Sequence, residues 1–119
     1  MKDILALRAL LLVGVGLVCV SLPASAATML TAKNGMTVYV FDKDTSGVSA
    51  CYDECAKKWP PYLAHGGEKM GEGWATVKRK DGSMQWTYDN KPLYFYADDK
   101  KKGDAHGDGV GSVWHIVKE

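Results

Sequence analysis

The sequence repeats itself. Tyr39-Val40-Phe41-Asp42-Lys43-Asp44 recurs in pattern, 55 positions later, as Tyr94-Phe95-Tyr96-Ala97-Asp98-Asp99. Both stretches read Tyr-x-aromatic-x-x-Asp. At the same gapless offset Trp59 falls on Trp114 and Asp53 on Asp108. Self-similarity of this kind marks a duplicated unit, and a unit that cannot bury its aromatic face alone shares one core with its copy. The expected domain is therefore built from two tandem copies, about residues 29–64 and 84–119, joined by a loop and a hairpin strand.

The first 26 residues stand apart from that scheme. Lys2 and Arg8 form a basic start, Ala9 to Leu22 is almost purely apolar, and Ala24-Ser25-Ala26 is a small-residue cleavage site. Together they read as a secretory signal peptide. The apolar run is too short for a spanning helix, which needs about 20 apolar residues. Val18 precedes Cys19 where lipoprotein processing wants a small residue, so a lipid anchor is disfavoured. Cleavage after Ala26 leaves a single domain, 27–119, exported to the periplasm or secreted. Removing Lys2, Arg8 and Asp3 with the leader takes the formal charge from +1 to zero. No basic excess points to nucleic acid or to an anionic membrane, and the remaining chain is expected to be a monomer with no membrane span. A domain this size buries only about 60–65% of its unfolded surface, so a staple helps.

The local patterns are mostly those of strands. From Met36 to Phe41, Val38 and Val40 alternate with Thr37, Tyr39 and Phe41, a two-residue period rich in β-branched and aromatic side chains. Trp74–Arg79 and Met84–Tyr88 flank Asp81-Gly82, a tight-turn signal for a hairpin. Pro92 opens a strand to Tyr96, and Ser112–Val117 closes the chain. Ser49 to Trp59 reads as one short helix: Ser49 suits its N-cap, Asp53 and Glu54 its start, Lys57 and Lys58 its end, and Pro60-Pro61 stops it. The expected fold is mainly β, a small antiparallel domain of two pseudo-repeats with one short helix carrying a C-x-x-x-C disulfide.

Three constellations carry chemistry or mimic it. In the first, Tyr39, Phe41 and Asp44 in one copy and Tyr94, Tyr96 and Asp99 in the other have two readings. Either the aromatics fill the core, with each Asp capping its own turn, or the tyrosines and aspartates line a symmetric site. A buried tyrosine hydroxyl needs a partner, and the aspartates can supply it.

This motif resembles that of a family of small secreted proteins and predicted lipoproteins built from repeats with a Yx(F/W/Y)xxD signature. The family pattern also includes C-x-x-x-C-A-x-x-W-P-P, here Cys51 to Pro61, and a Gly-Asp-rich loop ending in Val-Trp-His, here Gly103 to His115. The resemblance spans essentially all of 27–119. It implies an exported, non-cytoplasmic domain and assigns no activity, because the family is known as a repeat of unknown function. The lipoprotein members carry a lipobox that this chain lacks.

The second constellation is Cys51 and Cys55. Two cysteines four apart in an oxidising compartment point to a disulfide. Facing positions on a regular helix hold their Cβ atoms about 5–6 Å apart, and a disulfide wants about 3.8 Å, so Cys51 belongs at a frayed helix start. The alternative is thiolate chemistry. Soft thiolates suit Cu(I), and C-x-x-x-C with a distant histidine resembles the copper site of Sco-type assembly proteins. Those have a thioredoxin-like fold that this sequence does not match. Neither the redox C-x-x-C nor the haem C-x-x-C-H is present.

The third is Asp104-Ala105-His106-Gly107-Asp108-Gly109, which mimics the start of a calcium loop. His106 replaces an Asp or Asn, and His115 stands where calcium requires a bidentate Glu. A glycine-rich turn and a weak metal site of Asp104, His106 and Asp108 both remain open. No nucleophile-and-base motif is present. The expected function is thus a non-enzymatic exported module binding an envelope protein or a small ligand, without a cofactor. The alternative is a periplasmic copper or redox protein using Cys51 and Cys55.

Overall fold

The β-branched and aromatic run around Tyr39 forms strand β1 (Tyr39–Phe41), and the closing run forms β5 (Trp114–Ile116). The two pair antiparallel, with Tyr39 opposite Ile116 and Phe41 opposite Trp114. The hairpin forms β2 (Trp74–Lys78) and β3 (Met84–Tyr88), and β4 (Lys91–Pro92) adds to the other edge of β3. Gly82 closes the hairpin turn at φ +90°, a conformation that glycine adopts without steric cost, and donates its N–H to Arg79 O at 3.0 Å. This computed structural model describes residues 28–119, so the expected leader, with Cys19, lies outside the described residues.

The helix is shorter than its sequence pattern. α1 spans only Glu54–Lys58. Asp53 takes φ +56°, which interrupts the helical run before it can reach back to Ser49. Ser49 does not cap the helix; its hydroxyl lies against the Tyr94 hydroxyl and accepts a bond from Arg79. Cys51 therefore sits before the helix and Cys55 in its first turn, and the two are joined by a disulfide. The strand expected from Pro92 to Tyr96 is also shorter: beyond Pro92 it continues only as bridges at Tyr94 to Tyr39 and Pro61.

The two copies meet about an approximate two-fold axis at Tyr39 and Tyr94. These residues exchange both backbone bonds, Tyr39 N to Tyr94 O at 2.8 Å and Tyr94 N to Tyr39 O at 3.0 Å. Bonds further out match in pairs. Asp42 N reaches Val113 O at 2.8 Å, and Ala97 N reaches Lys58 O at 2.9 Å. Leu30 N reaches Val117 O at 2.8 Å, and Trp86 N reaches Tyr62 O at 2.8 Å. The Leu30–Trp86 equivalence is one residue longer than the 55-residue offset, so the gapless comparison loses register before β1.

Two apolar clusters result. Leu30, Ala32, Val38, Tyr62, Trp86 and Leu93 form one. Tyr39, Cys51, Trp59, Tyr94 and Trp114 form the other, against which Phe41, Cys55 and Tyr96 pack.

Candidate functional site

Tyr39 and Tyr94 are fully buried, because β1 and its counterpart cross at the centre of the second cluster. Their hydroxyls find partners across the axis. Tyr39 Oη donates to Asp99 Oδ2 at 2.5 Å, and Tyr94 Oη donates to Asp44 Oδ2 at 2.8 Å. The motif closes on its copy, not on itself. The other carboxylate oxygen of each aspartate caps a loop: Ala50 N donates to Asp44 Oδ1 at 2.7 Å, and His106 N to Asp99 Oδ1 at 3.0 Å. Each aspartate thus gives one oxygen to its loop and one to the tyrosine of the other copy. Burial, reinforced by the Asp99 bond, pushes the Tyr39 hydroxyl well above the ordinary tyrosine range. Burial does the same to Tyr94, with the bond to Ser49 partly opposing it. Burial also raises the Asp44 carboxyl, against the lowering effect of the Ala50 bond.

The remaining motif aromatics form one continuous pile. Phe41 stacks on Trp114 at 4.1 Å, Trp114 on Trp59 at 3.8 Å, and Trp59 on Tyr96 at 4.3 Å. Tyr39 meets Trp59 edge-on at 5.4 Å, and Tyr94 meets Trp114 edge-on at 5.2 Å. Each contact has its symmetric twin. Pairs of this kind contribute about 0.5–1.5 kcal/mol each beyond the area they bury. Gly107 lies against the pile, where an added Cβ would come within 2.7 Å of the Trp59 ring.

The two tyrosine–aspartate nodes differ in what completes them. At the Tyr94–Asp44 node, Ser49 Oγ contacts Tyr94 Oη and accepts from Arg79 at 3.0 Å. Arg79 is only 5% exposed. It also donates to Gln85 Oε1 and Cys51 O at 2.8 Å each, and its guanidinium covers the Tyr52 ring. At the Tyr39–Asp99 node, Gly107 N donates to Tyr39 Oη at 3.1 Å, and the His106 ring lies 3.1 Å from Asp99 Oδ1.

Of the proposed metal trio, the structure brings Asp104 and His106 together but not Asp108. The Asp108 carboxylate turns away and accepts the Ile116 N–H at 3.0 Å. Asp99 takes its place: ligand atoms of Asp99, Asp104 and His106 all lie within 4.8 Å of one another. A linear loop pattern hides this, because Asp99 belongs to the preceding motif. The sequence singles out neither Arg79 nor Gln85, and Ser49 only as a helix cap. The available signal was an arginine on the same face as Val77, one residue short of the Asp81-Gly82 turn. Cys51 and Cys55 are joined, so thiolate ligands for copper exist only after reduction.

A cleft of about 270 Å³ opens beside the Tyr94–Asp44 node, with Phe41, Asp42, Asp44, Asp89, Asn90 and Lys91 in its wall. Asp89 and Asn90 both hold positive φ in the turn that shapes it. Asn90 ties that turn to the facing loop, its O accepting from Gly47 N at 2.8 Å and its Nδ2 donating to Ser46 Oγ at 2.5 Å.

A family model described as a secreted repeat of unknown function matches residues 25–62 and 75–118, one match over each copy of the motif. The chain belongs to this family. The residues that bond crosswise, Tyr39 with Asp99 and Tyr94 with Asp44, lie one in each match. No curated protein and no solved structure matches the chain. No helix among the described residues is long and apolar enough to cross a membrane.

Proposed function

We propose that this secreted-repeat protein is a non-catalytic binding module of the cell envelope, exported by a cleaved leader. One observation carries the reading: the motif's tyrosines and aspartates are spent on holding the two copies together. Neutral, buried tyrosines with satisfied hydroxyls serve a scaffold better than proton-transfer chemistry, which favours groups titrating near the working pH. Binding then falls to the surface that the clasp supports. The cleft walled by Phe41, Asp42, Asp89 and Asn90 offers an aromatic face with carboxylate and amide acceptors. Such a wall suits a small polar ligand rich in hydroxyl or amino groups. A redox or copper role through Cys51 and Cys55 is the weaker reading, because the pair is closed and Cys51 is fully buried.

The test is a ¹H–¹⁵N chemical-shift titration of the oxidised protein with oligosaccharides, polyamines and short peptides. The reading expects saturable shifts confined to the loops around Asp42–Ser46 and Asp89–Lys91. Turnover of any of these compounds that one side-chain substitution abolishes would overturn it, and so would saturable binding confined to another face.

A further inference from the structure

The two tyrosine–aspartate nodes are symmetric in backbone and motif but not in charge. The 55-residue offset places Asp104 on Ser49 and His106 on Cys51. At the first node, Asp44 feels the buried Arg79 guanidinium, linked to it through Ser49 and Tyr94. At the second node the Asp99 side chain is buried more deeply, with 2% exposure. Among the described residues no lysine or arginine forms an ion pair with it; its ion-pair partner is the His106 ring. Burying a carboxylate without a cation is costly, and proteins meet that cost with a paired charge or a metal.

The side chains around Asp99 have the composition and spacing of metal ligands. His106 Nδ1 lies 3.1 Å from Asp99 Oδ1 and 3.9 Å from Asp104 Oδ2. Asp99 is already oriented from behind by the Tyr39 hydroxyl on Oδ2, the kind of outer bond that fixes a ligating carboxylate. Asp104 is oriented by the Lys100 and Lys101 N–H groups, at 2.9 and 3.2 Å on Oδ2. His106 is 65% exposed, so the site opens to solvent on one side.

We propose that Asp99, Asp104 and His106 bind a divalent transition-metal ion, which takes the place at this node that Arg79 holds at its twin. Two carboxylates and one imidazole suit Zn²⁺ or a neighbouring divalent ion better than Cu(I), which wants thiolates. The neutral imidazole ligates through Nδ1 and keeps its proton on Nε2, facing solvent. Solvent-side positions on the ion remain open. This site is separate from the cleft beside Asp44, so it stands or falls independently of the binding-module reading.

The experiment is calorimetric titration of the oxidised, full chain with ZnCl₂ in a non-coordinating buffer, alongside the ¹⁵N shifts of the histidine rings. The expected result is one saturable ion, with the His106 Nδ1 resonance moving on binding. His106→Gln and Asp104→Asn each weaken binding by about tenfold or more, the loss typical of disrupting even an outer-shell partner. Both variants keep the amide spectrum of the parent, since His106 is exposed and an asparagine oxygen still accepts the Lys100 and Lys101 bonds. His65→Gln and His115→Gln leave binding unchanged. Undetectable binding at millimolar Zn²⁺ would overturn the proposal. So would undiminished affinity in both site variants, or loss of binding in His115→Gln, whose ring pairs with Asp42.

Discussion

Tyr39 of the first copy donates its hydroxyl to Asp99 of the second, while Tyr94 of the second donates to Asp44 of the first. The exchange explains why the Tyr-x-aromatic-x-x-Asp spacing occurs twice in one chain. One copy alone would bury a tyrosine hydroxyl without its acceptor and leave the aspartate to its loop. Truncations ending near Leu63 or beginning near Met84 should therefore be unfolded when expressed singly, as judged by near-ultraviolet circular dichroism and amide dispersion. Mixing them should restore part of the native spectrum. A dispersed spectrum from one half alone would show that the halves are independent.

The four-ring pile concentrates stability in few residues. Trp59→Ala should cost about 3–5 kcal/mol, the range for a large aromatic removed from a core. Trp114→Ala should cost a similar amount, because the two rings are symmetric partners. Denaturant titration measures both. A loss under about 1 kcal/mol at either position would mean that the pile contributes little.

Gly107 tests the same pile from outside. Its φ is not in the left-handed region; the constraint is space, since a Cβ would lie 2.7 Å from Trp59 and 3.0 Å from Tyr39. Gly107→Ala should destabilise by about 1–3 kcal/mol, the usual cost of overpacking. Gly109→Ala is a different case, with open space but φ +87°. Thermal melts of the pair separate crowding from backbone strain.

The sequence made some of this architecture visible and hid the rest, for physical reasons. Tyr39, Tyr94 and their aspartates announced a duplicated unit because side-chain type and spacing are linear properties. Which copy each tyrosine would reach is a property of the crossing at Tyr39 and Tyr94, and spacing carries no record of it. The Asp81-Gly82 hairpin was legible because turn chemistry is local. The helix was over-read at its start, because Ser49 has the composition of a cap but Asp53 breaks the run and a long-range contact takes the Ser49 hydroxyl. Asp108 was grouped with Asp104 and His106 by proximity in the chain, yet its carboxylate bonds a strand end. Arg79 went unread because a buried arginine is recognisable only through partners 6 to 30 residues away.

Arg79 supplies the next prediction. Removing it leaves Gln85 Oε1 and Cys51 O without their donor in a buried region. Arg79→Met should destabilise by about 1–3 kcal/mol for each acceptor left unsatisfied. Arg79→Lys should rescue little, since an ammonium cannot reproduce the forked donors of a guanidinium. Full rescue by lysine, seen in denaturant midpoints, would reduce the role of Arg79 to charge alone.

Alkaline pH probes the tyrosines directly. Tyr39 and Tyr94 have folded pKa values above the unfolded value of about 10. A group raised in the folded state contributes stability that is fully present below its unfolded pKa. That stability is lost as pH rises above the unfolded value toward the folded one. Stability should therefore hold up to about pH 10 and fall beyond it. Phenolate absorbance should show Tyr39 and Tyr94 ionising only with cooperative unfolding. In Tyr94→Phe the amplitude of that late step should fall by one tyrosine.

The most direct test of the crosswise clasp is a pair of double-mutant cycles in denaturant. One combines Tyr94→Phe with Asp44→Asn, residues in different copies; the other combines Tyr94→Phe with Asp99→Asn, residues in the same copy. The clasp predicts a coupling energy of about 0.5–3 kcal/mol for the first pair and additivity within about 0.5 kcal/mol for the second. Coupling within the copy and none across it would contradict the account.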